Sequence, residues 1–223
     1  MLKFESMSIA QNLKEIQSQL PEEVSLVAVS KTKPVSEIME AYEAGQRIFG
    51  ENKIQEMTEK WEQMPQDVKW HMIGHVQTNK VKYMAQFVNL VHAVDRLKLL
   101  KEINKQAKKH NRVIDCLLQI KIAEEDSKFG MTEDDALQLL NSEALTMLPH
   151  VKIKGLMGMA TFTEDEKQLN EEFSRLKHFY DTHQKAYGFS ILSMGMSGDF
   201  SVAIANGSNM VRVGSAIFGA RNY

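Results

Sequence analysis

Cysteine is almost missing from this chain: Cys116 stands alone among 223 residues. No intrachain disulfide can form, and a cytoplasmic location is expected. Cys116 sits within the apolar run 113–120 and reads as a small buried hydrophobe rather than a nucleophile. Neither sign of charge dominates. The formal net charge of −2 gives no reason to expect nucleic-acid binding. No apolar run approaches the ~20 residues that span a bilayer, so no membrane partner is expected. The first twenty residues mix Lys3, Glu5, Lys14 and Glu15 among apolar ones and lack the apolar centre of a signal peptide. No linker rich in Gly or Ser and no low-complexity tract divides the chain, so a single domain over 1–223 is expected. The His, Cys and carboxylate residues show no metal-site spacing, and there is no Walker-type phosphate loop.

What is present is an alternation. Ile9, Leu13, Ile16 and Leu20 fall on one stripe and predict an amphipathic helix within 6–20. Strand-like runs then follow at 24–30, 47–50, 68–74, 87–94, 113–122, 151–159, 190–196 and 209–213. Helical periodicity fills 35–44, 51–64, 78–86, 96–110, 134–140, 165–187, 200–205 and 215–219. Strands alternating with helices imply a parallel sheet with crossover connections. Eight such units fit an α/β fold, a single (β/α)₈ TIM barrel over 24–219 with an extra N-terminal helix within 1–20. An open doubly wound sheet is the competitor, because periodicity does not report closure. Lys98, Lys101, Lys105, Lys108 and Lys109 lie along one of the helices and read as a solvated face.

The stretch 24–34 carries the first chemical signal. A short β-branched run ends in Lys31, and Pro34 then opens a helix, as proline does at a first turn. The C-terminal ends of barrel strands carry the chemistry in this fold. A desolvated lysine there loses its proton readily and can form a Schiff base with an aldehyde; a lysine that merely marks the strand edge is the plain alternative. Two later loops, 193–199 with Ser197 and the pair Gly214-Ser215, put small residues and free N–H groups after strands seven and eight. Barrels often hold a phosphate there, although tight turns would explain the same residues. Arg212 precedes the second loop and projects to the face opposite Val211 and Val213. Inside the barrel it would need an acceptor, either a ligand ring nitrogen or a carboxylate. Asn52 and His71 could add polar contacts at the mouth, and His92 and Asp95 could be partners. An imine-forming amine, a phosphate cradle and a cation for a ring nitrogen together suggest pyridoxal 5′-phosphate (PLP). A Schiff-base aldolase acting on a phosphorylated sugar would share the first two features.

The motifs Ala28-Val29-Ser30-Lys31-Thr32, Phe49-Gly50-Glu51-Asn52 with Gln55-Glu56, and Trp70-His71-Met72-Ile73-Gly74 with Gln77, Asn79 and Lys80 occur in order. They continue with Lys128-Phe129-Gly130, Gly155-Leu156-Met157, Ser193-Met194-Gly195-Met196-Ser197 with Asp199, and Val211-Arg212-Val213-Gly214 with Ile217-Phe218-Gly219. In these the chain resembles, nearly end to end, the PLP homeostasis family, also called the YggS/PROSC family. Val76 and Asn209 stand where the family usually has leucine and threonine. The resemblance implies a PLP barrel of fold type III with Lys31 as the Schiff-base lysine. It implies that Ser197, Gly214 and Ser215 hold the phosphate and that Arg212 faces the pyridine nitrogen. It further implies a binder that helps balance PLP supply, without dedicated turnover. Related racemases and decarboxylases add a C-terminal β domain, for which a chain ending at Tyr223 leaves no room. That lack argues against a PLP-dependent amino-acid racemase, which is the alternative function. A monomer that exchanges PLP with dependent apoenzymes is the expected assembly.

Overall fold

Parallel neighbours need a crossover of a dozen or more residues, which a helix supplies. The computed structural model describes residues 8–124 and 129–219. Its strands are β1 (Ser25–Val29), β2 (Ile48–Glu51), β3 (Lys69–Met72), β4 (Leu90–Val94), β5 (Ile114–Ile120), β6 (Val151–Gly158), β7 (Ile191–Met196) and β8 (Met210–Val213). The helices are α1 (Ile9–Ser18), α2 (Val35–Glu43), α3 (Ile54–Trp61), α4 (Val81–Met84), α5 (Leu97–Lys109), α6 (Glu133–Leu140), α7 (Glu143–Thr146), α8 (Glu166–Tyr187), α9 (Phe200–Ala205) and α10 (Ser215–Phe218). Each strand pairs in parallel with the next, and β8 returns to β1, with Val27 opposite Arg212 and Ala28 opposite Val213. The sheet is a closed eight-stranded barrel in sequence order. This closure excludes the open sheet.

Side chains along a strand alternate between the two faces. Ala28, Phe49, Trp70, Val91, Leu118, Leu156, Leu192 and Val211 take the outer face and form one buried layer with the helices. The interior is filled by a smaller cluster of Val27, Leu90, Ala93, Leu117, Met157 and Met210. Polar side chains share the interior with this cluster, Arg212 standing opposite Val27 and Ser193 opposite Met157. α1 begins at a capping box, in which Ser8 Oγ accepts from the Gln11 N–H and Gln11 Oε1 accepts from the Ser8 N–H. Its buried Leu13 and Ile16 belong to the anticipated stripe. The helix packs on α2 and α10, and Asn12 Nδ2 donates to the Ile217 carbonyl at 3.0 Å.

Several boundaries differ from expectation. The helix anticipated over 51–64 begins at Ile54, and Glu51 ends β2. Its carbonyl accepts from Ile73 N–H at 2.9 Å, so the strand ladder holds its backbone. Pro34 is the N-cap of α2 rather than its first residue. Residues 78–86 form a 3₁₀ turn, Thr78–Lys80, running into α4. α7 was not anticipated; four residues are too short for a periodic signal. Residues 1–7 of the N-terminal segment and Lys128 lie outside the described residues. Among the described residues, no helix is long and apolar enough to cross a membrane.

Candidate functional site

Barrel closure brings the strands with anticipated site residues into one arc, β7–β8–β1–β2–β3. Lys31 lies two residues beyond Val29, half-buried, in a turn closed by the Lys33 N–H donating to the Ser30 carbonyl at 3.1 Å. Val29 pairs with Gly50, and Gly50 with His71. Asn52, two residues past Gly50, therefore stands level with Lys31, and His71 sits one layer below. Gly74 lets the loop after β3 close on this rim. A Cβ there would come within 2.4 Å of the Asn52 carbonyl oxygen, a contact no side chain tolerates.

On the other side of β1, Ser197 and Gly214 are the first residues after β7 and β8. They meet: the Gly214 N–H donates to Ser197 Oγ at 3.1 Å. Asp199 Oδ1 accepts from the Met196 N–H at 2.5 Å and so shapes the first of these loops. Gly214 also lies against β1, since a Cβ on it would be 3.2 Å from both the Cβ and the carbonyl oxygen of Val29. Lys31 and the two small-residue loops thus rise from adjacent strands. Ser215 is exposed and opens α10.

Arg212 is only 4% exposed. The sequence offered a ring nitrogen or a carboxylate as its acceptor; the Asp199 carboxylate acts on it electrostatically, while one terminal nitrogen donates to the Ser193 carbonyl at 2.9 Å and to Ser193 Oγ at 2.6 Å. The other donates to the Gly158 carbonyl at 3.0 Å. Three of five N–H bonds are so used. Burial lowers the guanidinium to about 10, which leaves it charged at neutral pH. Ser193 continues the connection inward, with its Oγ 3.2 Å from His92 Nδ1. His92 Nε2 lies 3.1 Å from His71 Nδ1. Burial holds His71 down at about 3 and His92 well below the usual imidazole value, so both rings are neutral near pH 7. Arg212 can only donate, which makes Ser193 Oγ its acceptor. The two neutral imidazoles then continue the line through the Ser193 Oγ–His92 Nδ1 and His92 Nε2–His71 Nδ1 contacts, one proton on each ring.

The anticipated pairing of His92 with Asp95 does not occur. Asp95 instead meets His75 at 3.4 Å and bonds Arg96, while His92 points into the barrel. The bonds of Ser193 to Arg212 and to His92 were not anticipated because those partners lie about twenty and a hundred residues away. A polar residue at an inward position of an apolar strand was the one available sign. Cys116 is fully buried with its thiol pushed up by burial, as a small hydrophobe should be. Lys98, Lys101, Lys105, Lys108 and Lys109 are exposed.

A second cluster lies behind β1, on the outer side of the wall with Phe49. Lys60 Nζ, 6% exposed, donates to the Ser30 carbonyl at 2.8 Å, to Glu51 Oε1 at 2.7 Å and to Glu56 Oε1 at 2.7 Å. Glu51 Oε1 also accepts from Ser30 Oγ at 2.6 Å, and Glu56 Oε1 from the Thr32 N–H at 2.6 Å. Glu51 Oε2 is buried without a hydrogen-bond partner. Desolvation raises this carboxyl to about 6, against the opposing pull of Lys60.

A closed parallel barrel with a rim lysine beside small-residue loops defines the class of alanine-racemase-like barrels, and the alanine racemase N-terminal domain family matches residues 5–222. A pyridoxal phosphate homeostasis protein of Vibrio alginolyticus is 39% identical, covering 97% of this chain and 99% of its own. One of Escherichia coli is 37% identical, covering 96% and 97%. The chain belongs to the pyridoxal phosphate homeostasis family. The structure of PipY from Synechococcus elongatus with PLP bound superposes with a TM-score of 0.85 at 34% identity, covering 95% of this chain and all of that one. An alanine racemase of Clostridium difficile shares the fold, with a TM-score of 0.81 at 15% identity, covering 97% of this chain and 57% of that one.

Proposed function

We propose that this protein binds PLP and serves in intracellular PLP homeostasis, holding the cofactor on Lys31 without dedicated catalytic turnover. The observation that carries the reading is that Lys31 follows β1 and Gly214 follows β8, neighbouring strands of the barrel, with the Gly214 N–H already meeting Ser197. When bound, PLP would supply an aldehyde that a neutral primary amine can capture reversibly with release of water, and Lys31 would be that amine. The residues present fit such a ligand. Gly214 has no Cβ to press on Val29, so its backbone can lie close to β1, and its N–H, which now donates to Ser197 Oγ, would turn to an anion placed between the two loops. Ser197, Gly214 and Ser215 would hold the phosphate. Arg212 keeps two N–H bonds beyond those to Ser193 and Gly158 and would serve the pyridine nitrogen. Asn52 and His71 would line the ring.

The same arginine supports a carrier over an enzyme. It stays protonated and only donates, so a ring nitrogen bonded to it remains unprotonated and withdraws electrons weakly. Binding in the cytoplasm as a monomer, with transfer to PLP-dependent apoenzymes, completes the proposal. The experiment is an absorbance titration with PLP, borohydride reduction, and mass mapping of the modified lysine. Modification at Lys31, lost in Lys31→Ala, is expected. An unchanged signal in Lys31→Ala overturns the assignment. Exchange of amino-acid α-protons in heavy water above the rate of free PLP would favour the racemase reading.

A further inference from the structure

We propose that Lys60, acting through Glu56, is a positioning device for Lys31 that clamps the peptide on both of its sides. The inference rests on the reading of Lys31 as the PLP-linking amine, and it concerns residues that touch no ligand.

The clamp is visible in the bonding. Ser30 and Thr32 flank Lys31, and both bond into one cluster. The Ser30 carbonyl takes a proton of Lys60 at 2.8 Å and the Ser30 hydroxyl bonds Glu51. The Thr32 N–H donates to Glu56, which Lys60 also holds at 2.7 Å. An ammonium has three protons, and all three of Lys60 are spent here. Glu51 ends β2 and Lys60 and Glu56 stand on α3, so the cluster ties the turn after β1 to its neighbouring strand and helix.

The backbone explains why a clamp is needed. Thr32 has a φ of +65°. That region costs a β-branched residue roughly 1–2 kcal/mol and persists where the surroundings hold it. Thr32 is exposed, so burial of its side chain does not hold it; the turn bond from the Lys33 N–H to the Ser30 carbonyl and the bond from its own N–H to Glu56 do. With Thr32 held left-handed, the direction in which Lys31 leaves the strand is set. A buried ion pair is a poor source of stability compared with well-packed apolar groups. The chain nevertheless keeps Lys60 and Glu51 almost fully buried, with one carboxylate oxygen of Glu51 unpartnered. A positioning role accounts for that expense.

The test compares Glu56→Ala, Glu56→Gln and the double variant Glu56→Ala with Thr32→Gly in the full chain. Glutamine keeps an acceptor for the Thr32 N–H, and glycine adopts positive φ without strain. Three quantities are measured. One is the rate at which borohydride fixes pyridoxal, which lacks the phosphate, on Lys31. Another is the labelling rate of Lys31 by an amine-selective reagent without cofactor. The third is the affinity for pyridoxine 5′-phosphate, which has the phosphate but no aldehyde. Glu56→Ala should slow fixation and labelling of Lys31 about tenfold, equivalent to about 1.4 kcal/mol, with pyridoxine 5′-phosphate affinity unchanged. Glu56→Gln and the double variant should recover most of the rate. Wild-type rates in Glu56→Ala, or a parallel loss of pyridoxine 5′-phosphate binding, would overturn the proposal. Fixation in the wild type at a lysine other than Lys31 would instead sink the functional reading, and cofactor-free labelling would still decide the clamp.

Discussion

Replacing Glu51 by glutamine should change the way stability depends on pH, with a predictable sign. The carboxyl is fully buried and is raised from 4.5 to about 6, chiefly by desolvation. A group whose folded value exceeds its unfolded value binds more protons in the folded state between the two. Stability arising from it is therefore present at low pH and is lost as pH rises through about 4.5 to 6. The displacement corresponds to about 2 kcal/mol. Glutamine does not titrate. Its carbonyl can still accept from Lys60 and Ser30 in place of Oε1. The unfolding free energy of Glu51→Gln minus that of the wild type should thus rise by about 2 kcal/mol from about pH 4 to pH 7. Urea unfolding across that range measures it, and contributions from the histidines, common to both proteins, cancel in the difference. A gap that stays constant with pH, or shifts in favour of the wild type as pH rises, would refute the account of Glu51 as an under-compensated buried carboxylate.

The buried histidines should give the opposite slope. Their folded values lie below the unfolded one, so the stability they contribute is present above about pH 6.5 and is lost as pH falls toward the folded values. His92→Gln should therefore unfold at lower pH than the wild type, as followed by the fluorescence of buried Trp70; an unmoved acid midpoint would count against a neutral pair. Gly155 has a φ of +154°, and a Cβ on it would sit 1.8 Å from the Ile191 carbonyl oxygen. Gly155→Ala should cost on the order of 3 kcal/mol by forcing β6 and β7 apart, and denaturant midpoints at wild-type values would contradict that geometry.

The strand-end positions of the candidate site residues were legible because their cues are local. Lys31 follows a β-branched run directly, and Gly214 and Ser197 follow apolar strands directly, so each could be placed at a strand end from adjacent residues alone. Glu51 was misplaced into a helix for the same reason. Its preference had to be judged from neighbours, whereas the ladder bond from Ile73 decided its conformation. Phe49 and Trp70 read as strand residues, yet their contact at 6.1 Å between ring centroids joins two strands whose register periodicity does not encode.

The order of strands and helices, the amphipathic first helix and the strand-end position of Lys31 were determined by the chain alone, because hydrophobic period is a property of consecutive residues. Closure of β8 onto β1, the line of bonds from Arg212 through Ser193 and His92 to His71, and the cluster behind Lys31 were decided only in three dimensions. Each joins groups from different strands or helices, and side-chain bonding across a barrel depends on register and twist, which no local pattern carries.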